Sequence, residues 1–130
     1  MAKIPLVSIV DDDVSVREAT TDLLESHGYV AAAFASAEEF LQSARLRDTS
    51  CLVTDVHMAG LSGVELQRRL INGGHRIPVI FMTAFPEEHI RVAALKWGAR
   101  GFLTKPVSEE HLIGCLECAL EKHSPGGSKQ

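Results

Sequence analysis

Short apolar runs alternate along this chain with longer stretches of helical spacing, and four of the five runs end in a residue able to do polar chemistry. Leu6-Val7-Ser8-Ile9-Val10 leads into Asp11, Asp12 and Asp13, and Cys51-Leu52-Val53-Thr54 into Asp55. Val79-Ile80-Phe81-Met82 ends in Thr83, and Gly101-Phe102-Leu103-Thr104 in Lys105-Pro106. Neighbouring parallel strands would bring these acids, the hydroxyl and the ammonium out at one sheet edge. Open α/β sheets bind their ligands at that edge.

The apolar periodicity predicts strands over 6–10, 29–34, 51–55, 78–82 and 100–104, and helices over 14–27, 37–46, 63–72, 87–97 and 109–122. Val16, Ala19, Leu23, Leu24 and His27 share one side of the first helix. Ile90, Ala93, Ala94 and Trp97 do so on the fourth, and Leu112, Ile113, Leu116, Ala119 and Leu120 on the fifth. Ser36-Ala37-Glu38-Glu39 and Ser62-Gly63-Val64-Glu65 read as capping boxes, and Ser108 as a further N-cap. Pro86 is placed in the first turn of the fourth helix, followed by Glu87 and Glu88. Gly28, Gly73-Gly74 and Gly98 fall where helices should stop. Five such alternations predict an α/β domain whose parallel sheet is covered on both faces.

A length of 130 residues suits one domain with a real core. The net charge of -4 argues against direct contact with nucleic acid, which needs a clustered basic face. No run approaches the roughly 20 apolar residues of a membrane span, and the first five residues have no signal-peptide design. Three cysteines without disulfide-style spacing suit a reducing cytoplasm. Cys115 and Cys118 form a lone C-x-x-C late in a helix, without the second pair a zinc site needs, and read as small packing residues. Residues 124–130, Ser-Pro-Gly-Gly-Ser-Lys-Gln, have the composition of a flexible tail or linker, leaving 1–123 as the domain.

Crowded carboxylates raise one another's pKa. A divalent cation removes that cost, and hard oxygen ligands suit Mg²⁺. One aspartate is then free to act as a nucleophile toward phosphorus. Placed cations and donors stabilise the charge on the transferred phosphoryl group, and Lys105 and Thr83 are candidates for that work. Asp13 has a simpler use as the N-cap of the first helix.

With those motifs in view, the chain resembles the receiver domains of two-component response regulators over about residues 5–122. The likeness rests on Ile9-Val10-Asp11-Asp12-Asp13, Val53-Thr54-Asp55-Val56-His57-Met58, Leu61-Ser62-Gly63-Val64-Glu65, Phe81-Met82-Thr83-Ala84 and Gly101-Phe102-Leu103-Thr104-Lys105-Pro106. The Ser62-Gly63-Val64-Glu65 and Lys105-Pro106 contexts are most similar to the subfamily with a C-terminal helix-turn-helix. The resemblance implies a doubly wound, flavodoxin-like five-stranded sheet of order 2-1-3-4-5. It implies Asp55 as phospho-acceptor, Asp11 and Asp12 as the acidic pair for Mg²⁺, and the main-chain carbonyl of His57 as a further ligand. It also implies Thr83 and Lys105 on the phosphoryl group, Phe102 as an inward-turning switch aromatic, and a cis Lys105-Pro106 peptide. A sensor histidine kinase or phosphotransfer protein is the implied partner, with a possible phosphorylation-dependent homodimer through residues 86–104.

The chain departs from the family at Ala59, where a proline usually follows the Met, and this should loosen the loop. Phe85, two residues after Thr83, is expected to impede the water that removes the phosphoryl group. Three other readings stay open: a stand-alone single-domain regulator, a metal-dependent phosphatase using Asp55 as nucleophile, and a nucleotide or flavin module. The phosphatase would pair its nucleophile with an acid two residues on, where His57 stands. The nucleotide module would need a Gly- or hydroxyl-rich loop after the first strand, where three aspartates stand.

Overall fold

The computed structural model describes residues 4–123, so the proposed tail at 124–130 lies outside the described residues. Strands β1 (Leu6–Val10), β2 (Val30–Phe34), β3 (Cys51–Asp55), β4 (Val79–Thr83) and β5 (Gly101–Thr104) pair in parallel in the order β2-β1-β3-β4-β5. Between them run α1 (Val14–Ser26), α2 (Ala37–Leu41), α3 (Gly63–Asn72) and α4 (Glu88–Lys96), with α5 (Glu109–His123) last. This is the predicted order. Strand limits move from the predicted ones by a residue at three strands, which brings Thr83 inside β4.

Every residue of β1, β3 and β4 is buried, as befits central strands covered on both faces. Their alternation divides the apolar interior in two. Val7, Ile9, Val53, Ile80 and Met82 pack with Leu24 of α1 and with Leu112 and Leu116 of α5. Val10, Leu52 and Phe81 pack on the other face with Phe40, Leu66, Leu70 and Ala94, from α2, α3 and α4. Ser8 is buried on β1, and its hydroxyl pairs with that of Thr49 at 2.7 Å, so no polar group is stranded there.

Asp13 caps α1 by accepting from the Ser15 and Val16 N–H groups. Ser62 and Glu65 form the complete reciprocal box at α3. The box at α2 is half made: Ser36 accepts from the Glu39 N–H, but Glu39 reaches back to the Ala35 N–H.

Several expectations need correction. The second helix stops at Leu41 rather than at 46, and a 3₁₀ helix, Ala44–Asp48, follows. Ser43 explains the break, because its hydroxyl accepts from the Arg45 N–H and caps the second turn instead of continuing the first. Pro86 lies outside α4, which begins at Glu88 with Glu87 at the N-cap position. On α1 the inward face carries buried Thr20 while Ala19 and His27 are exposed, and on α4 Trp97 is exposed beneath the Arg68 guanidinium, 5.0 Å from its ring. Cys115 packs beside the α5 core, but Cys118 is exposed.

Candidate functional site

The sheet register assembles the site. Val10 lies opposite Thr54, so the next residues, Asp11 and Asp55, emerge side by side. Thr83 lies opposite Thr104, and the Lys105 N–H donates to the Thr83 carbonyl at 2.8 Å, which brings Lys105 to the same edge. Carboxylate oxygens of Asp11, Asp12 and Asp55 lie within 4.8 Å of one another. Asp11 is fully buried, Asp55 nearly so, and Asp12 is exposed at the mouth.

Both Asp11 oxygens are engaged. Oδ1 accepts from the Asp13 N–H at 2.9 Å, and Oδ2 from Lys105 Nζ at 2.8 Å. Lys105 also reaches Asp55 Oδ2 at 3.2 Å. Burial raises the Asp55 pKa above the ordinary carboxylate value and the charge of Asp11 adds to it; Lys105 and the His57 N–H only partly offset this. Burial works to lower the Lys105 pKa, but its hydrogen bond to Asp11 and the charges of Asp11 and Asp55 outweigh that and raise it. One ammonium therefore serves two carboxylates, and the third, Asp12, stands beside them without a cation of its own. The site is rich in hard oxygen donors and short of positive charge, and that donor set fits a divalent cation.

α3 begins hard against the end of β3. A Cβ at Gly63 would collide with the Asp55 carbonyl oxygen, so only glycine allows the helix to start there. Thr83 is buried, and its hydroxyl accepts from the Phe85 N–H at 3.0 Å, which ties it to the β4–α4 loop. The His57 side chain leans outward, with Nε2 3.5 Å from Glu87 Oε1 and its ring edge-on to Phe85 at 6.3 Å. Phe85 itself is 72% exposed. Phe102 is half-buried against the α3–α4 layer, its ring 6.1 Å from that of Phe81. The Lys105-Pro106 peptide is cis, as the resemblance implied.

Asp11, Asp12, Asp55 and Lys105 are thus brought together, with the Thr83 main chain bonded to that of Lys105 and the Thr83 hydroxyl held by the β4–α4 loop. Three neighbours escape a reading of the sequence. Arg17 Nη1 donates to the Asp11 carbonyl at 2.7 Å, Glu38 accepts from the Leu61 N–H, and Glu87 faces His57 without capping α4. Each stands at a helix start where a charged residue is ordinary, so only tertiary placement reveals it.

This sheet, with acids and a lysine at its carboxyl edge, defines a receiver-type domain. The chain matches the response regulator receiver domain family over residues 7–117 and belongs to it. It is 41% identical over 117 residues to nodulation protein W of Bradyrhizobium diazoefficiens, covering 90% of this chain and 52% of that protein. Response regulator protein TmoT of Ectopseudomonas mendocina is 40% identical over 116 residues, covering 89% and 53%. Transcriptional regulatory protein FixJ of Azorhizobium caulinodans is 37% identical over 124 residues, covering 95% and 59%. Among solved structures, response regulator StyR matches with a TM-score of 0.85 at 41% identity, covering 92% of this chain and 61% of that one. FixJ-N matches at 0.82 and 36%, covering 92% and 96%. The chain spans about half the length of the first two of these relatives. No described helix is long and apolar enough to cross a membrane.

Proposed function

We propose that this domain is a phosphorylation-activated switch that accepts a phosphoryl group on Asp55. The donor is the phosphohistidine of a sensor histidine kinase or of a phosphotransfer protein. A carboxylate oxygen of Asp55 forms the new P–O bond as the P–N bond to the donor imidazole breaks, and the imidazole leaves with a proton. The observation that carries this reading is the clustering of Asp11, Asp12 and Asp55 at one sheet edge, with the Lys105 ammonium paired to Asp11 and Asp55.

Asp11, Asp12, Asp55 and the main-chain carbonyl of His57 are the proposed Mg²⁺ ligands. The bound ion supplies charge neutralisation of the carboxylates and of the phosphoryl oxygens. Lys105 contributes a second cation to the same oxygens. Thr83 leaves the Phe85 N–H to donate to the phosphoryl group, and the Phe102 ring follows inward beside Phe81. The phosphoryl group drives that shift only as far as it binds the rearranged state more tightly.

Exposed Val92, Leu95 and Trp97 on and beside α4 support a readout surface over 86–104, where two phosphorylated copies would pair. The domain extends over 1–123, with 124–130 as a tail or linker. It is the cytoplasmic regulatory part of a transcription regulator, with a helix-turn-helix rather than this domain contacting DNA, and its only turnover is its own phosphorylation and dephosphorylation. The name of one relative, transcriptional regulatory protein FixJ, favours this over a stand-alone regulator.

Labelling with a small-molecule phosphodonor and Mg²⁺ tests the assignment. The wild-type protein takes up one phosphoryl group and Asp55→Asn takes up none. Full labelling of the folded Asp55→Asn protein would refute it.

A further inference from the structure

Glu38 stands in the first turn of α2, where the helix dipole alone would account for an acid. Its carboxylate nonetheless serves another element. Oε2 accepts from the Leu61 N–H at 3.1 Å, across 23 positions of sequence. The same oxygen lies 2.6 Å from where a Cβ on Gly60 would stand, and Oε1 lies 3.3 Å from it. Gly60 has φ +79°, so glycine both supplies the left-handed turn and leaves room for the carboxylate. Glu38 therefore lies against the backbone of Gly60 and Leu61, toward the α3 end of the loop 56–62.

The two ends of that loop are held without it. The Val56 N–H donates to the Met82 carbonyl at 3.1 Å, and the Gly63 N–H to the Val56 carbonyl at 2.9 Å. Ser62 and Glu65 close the start of α3. Between these anchors the chain passes through His57 and through Ala59, which restricts the backbone less than a proline would. Apart from the α3 box, Glu38 is the only side chain among the described residues that hydrogen-bonds this loop's backbone.

We infer that Glu38 is a positioning residue for the acid cluster: by fixing Gly60 and Leu61 it holds the His57 main chain in place beside Asp55. This rests on the reading of that cluster as the cation and phosphoryl site. Without the tether, cation binding must itself order the loop, and that cost appears as lost affinity. The effect belongs to cation binding, whereas the chemistry at a filled site is untouched.

The test is a calorimetric Mg²⁺ titration of the wild type, Glu38→Ala, Glu38→Gln and Asp55→Asn, paired with phosphodonor labelling. Glu38→Ala should bind Mg²⁺ roughly tenfold more weakly, as loss of an outer-shell partner does. At saturating Mg²⁺ it should label at the wild-type rate. Glu38→Gln keeps an oxygen for the Leu61 N–H and should stay within about twofold of the wild type. Unchanged affinity in Glu38→Ala, or equal loss in Glu38→Gln and Glu38→Ala, overturns the role of Glu38. A wild-type protein that takes up no label, or labels no better than Asp55→Asn, overturns the underlying reading instead.

Discussion

Lys105 donates its hydrogen bond to Asp11 at 2.8 Å, closing a contact between residues 94 positions apart at the carboxyl ends of β1 and β5. Asp11 is fully buried while the lysine side chain keeps some access to solvent. The pair therefore matters most for what its loss would strand, a buried carboxylate beside a second one.

Lys105→Met should destabilise the metal-free protein by roughly 2 kcal/mol, below the full penalty for a wholly buried pair because the lysine is partly solvated. Urea unfolding in EDTA measures it. A basic group whose folded pKa is raised contributes stability below its unfolded pKa that is lost as pH rises through the folded value. The loss caused by the mutation should therefore be constant through neutral pH and shrink only in strong alkali.

Asp55→Asn should stabilise the metal-free protein at pH 7 by roughly 1 kcal/mol, within the range of single substitutions. Asp55 is an acid whose folded pKa is raised, so its contribution to stability is present at low pH and is lost as pH rises through that value. The advantage of the asparagine should accordingly vanish as pH falls toward the ordinary carboxylate value of 3.8. Urea midpoints in EDTA across that window check both the sign and the pH.

Mg²⁺ at a hundredfold excess over its dissociation constant should stabilise the wild type by about 2.7 kcal/mol. Asp12→Ala removes the exposed carboxylate of the cluster and should abolish most of that gain without disturbing the core. Thermal melts with and without the ion report it.

Phe85→Glu should shorten the phosphorylated lifetime severalfold, because it replaces an apolar ring beside His57 with a side chain that admits and orients water. Decay of phosphodonor label after dilution measures the lifetime, and a slower decay would reverse the role assigned to Phe85.

Cys118 should be the thiol that reacts fast with a water-soluble alkylating agent in the native state. Burial pushes the Cys51 thiol up to about 12, so about one part in ten thousand is thiolate at pH 8. Cys115 is also raised by burial and is partly covered. Mass mapping after brief labelling should find Cys118 modified first and Cys51 only in denaturant.

The central site was legible because its residues follow strands, and a parallel sheet with even registers turns "follows a strand" into "stands at the same edge." That logic placed Asp11, Asp55, Thr83 and Lys105 from sequence. It could not place Glu38, Arg17 or Glu87, whose partners are backbone or side-chain groups of other elements. The short α2 was missed for a local reason: Ser43 competes for a backbone N–H that continued helical spacing would have used. Thr20 and His27 exchanged places with respect to the core because a 3.6-residue period tolerates either flank of an apolar stripe.

The sheet parts the apolar interior into two compartments that share no side chains. The compartment under α1 and α5 can thus act as ballast while the one under α3 and α4 rearranges around Phe81 and Phe102. A domain partitioned in this way can change the shape of one flank without loosening the other.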